Sequence, residues 1–150
     1  MRKLVSSGSP FEPKIGFSRA VRVGPYVAIS GTAPIAPGGG VAAPGDVYGQ
    51  TKRCLEIIAQ AAADVGVTPD SVIRTRAMLT DISRWEEAAR AHGEVFGRIR
   101  PASTFVEVRG LINPEGWSRS RPTASPRTET AARRRPVDTS RARPRPLRVA

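Results

Sequence analysis

The residues of this chain that could do chemistry are few and scattered. One histidine, His92, and one cysteine, Cys54, stand among 24 Lys+Arg and 13 Asp+Glu. His92 titrates near neutrality and could act as a general base. It shares a helical face with Trp85, Ala89 and Phe96, and that setting favours a packed, hydrogen-bonded side chain. Cys54, next to Lys52-Arg53 in a helical stretch, reads as a small core residue and not as a nucleophile. Asp81, Glu86 and Glu87 are better explained by a helix cap and a solvated helix face than by acid/base work. The Gly38-Gly39-Gly40 run lacks the Gly-Lys-Ser/Thr that makes a phosphate loop, so it reads as a flexible connection. A single cysteine and a single histidine exclude an internal disulfide, a cysteine-rich zinc site and a multi-histidine metal centre. No metal and no cofactor is therefore expected.

The elements that must position these residues follow from periodicity. Phe17, Arg19, Val21 and Val23 alternate with Ser18, Ala20 and Arg22, a period of two that predicts a strand. Gly24-Pro25 turns it into a second strand over 26–30. From 46 to 65 the pattern is helical, with Thr51, Leu55, Ile58, Ala62 and Val65 on one face and Gly66 at the end. Pro69-Asp70 leads into a strand over 72–80. A second helix is expected to open on Ser83 with Glu86 three residues on, a capping-box spacing, and to stop at Gly97. Pro101 introduces a last strand over 103–108. This order predicts an α+β sheet with two helices on one face. The other face would be left open, which points to an oligomer.

The formal charge of +11 is unevenly spread. Residues 1–115 carry 14 Lys+Arg against 11 Asp+Glu, whereas 116–150 carry 10 Arg against 2 acids. The last 35 residues also hold five of the 14 prolines, and their large apolar residues are only Trp117, Val137, Leu147 and Val149. Such a segment cannot bury enough surface to offset chain entropy. The expectation is one folded domain over 1–115 and a disordered Arg/Pro-rich tail over 116–150. No apolar stretch approaches the ~20 residues of a membrane span, and the basic start Met-Arg-Lys-Leu-Val has no signal-peptide core. A cytoplasmic protein without membrane contact is expected.

Five segments, in order, resemble the Rid family (reactive intermediate deaminase, also called the YjgF or L-PSP endoribonuclease family). They are Val27-Ala28-Ile29-Ser30-Gly31-Thr32-Ala33-Pro34-Ile35; Gln50-Thr51 with Cys54-Leu55 and Ile57-Ile58; Leu79-Thr80-Asp81-Ile82; Trp85 with Phe96; and Arg100-Pro101-Ala102-Ser103-Thr104-Phe105-Val106-Glu107-Val108. The resemblance spans about residues 4–115 and implies a chorismate-mutase-like fold, a homotrimer and ligand clefts between subunits. It also implies hydrolysis of reactive enamines and imines to keto acids and ammonia. In that scheme an arginine after Pro-Ala clamps the substrate carboxylate, an early tyrosine closes the cleft, and a glutamate on a final strand positions water.

This chain departs from the scheme at each place. Ser103 follows Pro101-Ala102, Phe17 is the early aromatic, and no final glutamate-bearing strand is present in the sequence. It therefore resembles the arginine-less subgroup. Phe17, Ser30, Gly31, Ser103 and Phe105 are the residues expected to line the cleft, which would suit a small ligand of low charge. The resemblance assigns no residue a catalytic role here.

The family closes with a strand of the type Leu-Val-Glu-Ile-Glu. Writing Gly116–Ala124 in GC-rich codons and shifting the frame after the Glu115 codon yields Leu-Val-Glu-Ile-Glu-Ala-Asp. The tail then reads as the product of a single-base deletion, a frameshift that removes the last strand. Three functional readings follow: an imine/enamine hydrolase (deaminase) by descent, a non-catalytic trimeric small-molecule binder or regulator, and an RNA-interacting protein of the endoribonuclease or translation-inhibitor type. The third is the weakest, because the tail carries no aromatics among its arginines beyond Trp117 and so encodes no base stacking. The substrate is not named by the sequence.

Overall fold

A computed structural model of the chain describes residues 1–111 and the backbone of 130–132. The elements in order are β1 (Arg2–Val5), α1 (Phe11–Ile15), β2 (Ala20–Val23), β3 (Tyr26–Ile29), α2 (Val47–Asp64), β4 (Val72–Leu79), α3 (Trp85–Phe96), β5 (Ala102–Glu107) and β6 (Thr130–Ala132). They build one sheet of order β1-β2-β3-β6-β4-β5, parallel only between β4 and β5. This is the expected α+β fold.

Both long helices lie on one sheet face because both supply a stripe of small and apolar residues to it. Ile58, Ala61, Ala62 and Val65 of α2 pack on Ala20, Val27 and Ile29. Val47 and Ala88 meet Leu79, with Phe105 against them, and Leu55 and Phe96 close over Val72. On the opposite face Leu4, Val23, Tyr26 and Ile73 are exposed. Helix α2 starts as predicted: Asp46 is its N-cap, and its carboxylate accepts from Gly49 N at 2.9 Å.

Several local expectations are corrected. The first predicted strand begins at Ala20, not Phe17, because α1 ends on left-handed Gly16 (φ 78°) and leaves Phe17–Arg19 in the connection. Ser83 is not the cap of α3; Asp81 accepts from both the backbone N–H and the hydroxyl of Ser83, opening a 3₁₀ turn at Ile82–Arg84 that runs into the helix. Trp85 leaves the predicted buried face and is exposed, whereas Ala88, Ala91 and Phe96 are buried. Gly97 keeps helical angles, and the chain leaves α3 at Arg100, whose φ is +52°.

Among the described residues, three from the Arg-rich segment fill the slot between β3 and β4. Thr130 pairs with Ile29, and Ala132 with Val27 and Val72; the β4 side is irregular in register. The expected domain boundary at 115 and the rest of 116–150 lie outside the described residues; within that segment Thr130–Ala132 form β6. Thr and two Ala are small residues for a central strand. A small apolar cavity of about 30 Å³ lies between the helices and the two strands flanking β6, lined by Val27, Ile29, Leu55, Ile58, Val72 and Phe96 among others.

The N-terminal segment, β1 and α1, is secured by Glu12, a buried carboxylate that the sequence pattern did not single out. It accepts from the Ser6 hydroxyl, from Ser7 N at 2.8 Å and from the Ser7 hydroxyl at 2.6 Å. These bonds favour the charged form and hold the Glu12 carboxyl below the ordinary glutamate range. Because the folded pKa is depressed, the stabilisation is complete above the unfolded-state pKa and is lost as pH falls through the folded one. Glu12→Ala is expected to cost about 1–3 kcal/mol. Urea midpoints recorded from pH 7 downward should show the wild-type advantage over this variant shrinking below the ordinary glutamate pKa.

Candidate functional site

The expected cleft residues fall into two groups, each built around a hydroxyl. The first sits where β3 ends. Ser30 N donates to Arg19 O at 2.9 Å, and the Ser30 hydroxyl donates to Ser18 O at 2.6 Å. Arg19 Nη1 donates to Gly31 O and Thr32 Oγ1, both at 3.1 Å, and the Thr32 hydroxyl donates to Ser30 O at 3.0 Å. One guanidinium thus holds the Ser30–Thr32 turn in shape. The Arg19 guanidinium lies 6.0 Å from the centre of the Phe17 ring, which places an aromatic and a cation side by side. Burial lowers the Arg19 pKa, a shift that the charge of Glu12 opposes. Its Nε is buried without a partner.

Arg19 is a residue of the candidate site that the sequence pattern does not single out. Its place in the alternation of Phe17 to Val23 predicts a strand position and nothing more. Its register opposite the Ser30-Gly31 turn was the available signal, and only the antiparallel pairing of β2 with β3 makes that register visible.

The second group lies where β4 and β5 run parallel under α3. Thr75 and Ser103 are register partners, and the Thr75 hydroxyl donates to Ser103 Oγ at 2.9 Å. Thr75 Oγ1 is also 2.8 Å from His92 Nε2. The imidazole packs between two rings, tilted by 40° at 4.7 Å from Phe96 and edge-on at 5.7 Å from Phe105 between centroids. Desolvation lowers the His92 pKa, so the neutral ring is favoured. The packed, hydrogen-bonded reading of His92 matches this geometry.

Within one chain the two groups do not meet. β3 and β5 are separated by β6 and β4, three strand spacings or about 14 Å at ~4.8 Å each. Phe17, Ser30 and Gly31 are thus together on one side, and Ser103 and Phe105 on the other. Cys54 belongs to neither surface. It is fully buried in α2 and its thiol donates to Thr32 O at 3.3 Å, bracing the first group from behind. Asp81 and Glu87 are structural: Asp81 caps, and Glu87 takes Arg84 at 2.6 and 2.7 Å. Among the described residues no three of His, Cys, Asp and Glu come together as a metal site, and no helix is long and apolar enough to cross a membrane.

Comparison with known proteins adds the following. Residues 8–117 match the family described as Endoribonuclease L-PSP. An uncharacterized protein of Streptomyces coelicolor is 39% identical over 109 residues, 73% of this chain and 81% of the relative. A crystal structure from Mycobacterium tuberculosis, a member of the YjgF/YER057c/UK114 family, superposes with a TM-score of 0.74 at 39% identity, covering 89% of this chain and 99% of that one. Escherichia coli TdcF, crystallised with bound serine, shares the fold with a TM-score of 0.67 at 20% identity, covering 88% of this chain and 94% of its own.

Burial also raises the pKa of the Cys54 thiol far above its ordinary value. In the folded chain at pH 8 it should react with an aromatic disulfide reagent at least 100-fold more slowly than in 8 M urea. Comparable rates in the two conditions would place the thiol at the surface and contradict its bracing role.

Proposed function

The chain belongs to the Endoribonuclease L-PSP family, also called YjgF or Rid, and from that premise we propose that it binds small imines, enamines or carbonyl compounds in clefts between the subunits of a cytoplasmic homotrimer. One observation carries the ligand class. Ser103 stands directly after Pro101-Ala102, in the place where the resemblance implies a carboxylate-clamping arginine. A hydroxyl offers one neutral hydrogen bond where a guanidinium offers a charged, bidentate one. The site is therefore suited to ligands of low charge. Phe17 with Ser30 and Gly31 from one subunit, and Ser103 with Phe105 from its neighbour, would then line one cleft. The exposed apolar face carrying Leu4, Val23, Tyr26 and Ile73 supports association.

The ancestral reaction on this reading is hydrolysis: water adds to the imine carbon, and the carbon–nitrogen bond breaks to give a carbonyl compound and ammonia. The chain as it stands lacks the final-strand glutamate that the resemblance implies for positioning that water. We read residues 116–150 as an out-of-frame product following the domain at 1–115. The small residues of β6 and the apolar cavity beside it support this reading, since two large apolar residues of Leu-Val-Glu-Ile-Glu would supply the missing bulk. At ~1.5–3 kcal/mol for each large side chain buried, the restored strand should stabilise the domain by about 3–6 kcal/mol.

Four experiments test these points. With amino-acid-oxidase products as imine source, acceleration of ammonia release by the restored chain supports the hydrolase; binding of the same compounds without acceleration would leave the non-catalytic binder. RNA binding that survives deletion of 116–150 would support the nucleic-acid reading instead. Light scattering after size-exclusion chromatography should show a monodisperse trimer for the restored chain and aggregation for the chain as written. A stable trimer from the latter would make the frameshifted strand dispensable, and the nucleotide sequence around codon 115 decides its origin.

A further inference from the structure

Thr75 is 1% exposed and sits in the middle of a three-residue chain that ends at the surface. A threonine hydroxyl has one proton. With that proton given to Ser103 Oγ at 2.9 Å, the 2.8 Å contact with His92 Nε2 requires Thr75 to accept from the ring N–H. The ring is half-buried between Phe96 and Phe105, and this loss of water favours a neutral imidazole, which carries its proton on one nitrogen. Ser103 then accepts from Thr75 and keeps its own proton for something outside. Ser103 is exposed, and among the described residues β5 is an edge strand that no further strand covers.

We propose that His92, Thr75 and Ser103 form a hydrogen-bond relay that fixes the Ser103 hydroxyl as an outward donor, selecting an uncharged ligand that presents a carbonyl oxygen or imine nitrogen. This rests on the reading that the cleft at Ser103 takes a small ligand, and adds to it the specificity-determining group. A carboxylate against the same surface would face the phenyl ring of Phe105 and one neutral donor, so its desolvation would be poorly offset. A neutral acceptor loses little water and gains a bond whose donor is already oriented. Thr75 and His92 act through Ser103 and are positioning residues.

Because His92 is the only histidine of the sequence, its ring nitrogens give unambiguous ¹⁵N signals in the chain restored to Leu-Val-Glu-Ile-Glu, which is the background for every variant below. The relay requires a neutral ring protonated at Nε2. Titration with butanone should shift the Nε2 signal, and 2-oxobutanoate at equal concentration should shift it at least tenfold less. The butanone response should vanish in Ser103→Ala and in Thr75→Val, and Ser103→Arg should reverse the preference between the two probes. Protonation at Nδ1 in the restored chain, a response retained in Ser103→Ala, or equal responses to the two probes would each overturn the proposal. Ser103 is exposed, so its variants test the relay even where Thr75→Val unfolds the domain. No turnover is measured, so a relay that responds to butanone stands whether or not imines are hydrolysed.

Discussion

The backbone hydrogen bonding across the slot between β3 and β4 is what the rest of this structure depends on. Without a strand there, the antiparallel ribbon β1-β2-β3 and the parallel pair β4-β5 would be two fragments under a shared pair of helices, each with an open edge. The strand that joins them is three residues long, and its residues are Thr and Ala. Backbone pairing can be satisfied by almost any sequence free of proline, so Thr130–Ala132 can serve. Side-chain volume cannot be improvised in the same way, and a small apolar cavity lies nearby between Val27, Ile29, Leu55 and Val72.

The two hydroxyl-centred groups depend on the same slot. Arg19 and Ser30 belong to the ribbon, whereas Thr75 and Ser103 belong to the parallel pair. Each group is internally bonded, so its local shape is set by its own fragment. Their distance from one another is set by what lies between the fragments. In the proposed trimer this spacing decides how the Ser30-Gly31 turn of one subunit faces Ser103 of the next.

Three buried polar groups of this protein are held by specific hydrogen bonds. Glu12 is held by Ser6 and Ser7, Cys54 by a carbonyl of the β3 exit, and Thr75 by His92 and Ser103. Such arrangements orient a group strongly, because the alternative to the bond is an unsatisfied polar atom in a dry site. The buried amide of Gln50 and the buried Nε of Arg19 have no partner among the described residues. The same guanidinium clamps Gly31 O and Thr32 Oγ1, so the turn is held at the cost of one unmatched donor.

Much of the architecture was legible along the chain. The helix over Val47–Asp64 with Asp46 before it, the strand Val72–Leu79 and the pairing of Tyr26–Ile29 with Ala20–Val23 follow from apolar period and turn residues, which are local properties. So were the five ordered segments that carry the family resemblance, and the burial of Cys54. What only the tertiary structure decided depends on contacts that the linear pattern does not display. Glu12 has meaning once Ser6 and Ser7 fold back on it, and Arg19 once β2 pairs with β3. The relay His92–Thr75–Ser103 needs a helix and two strands packed together. The use of Thr130–Ala132 as a central strand could not be read from composition, because an edge that needs pairing selects for available backbone, and backbone is the one feature that every residue shares.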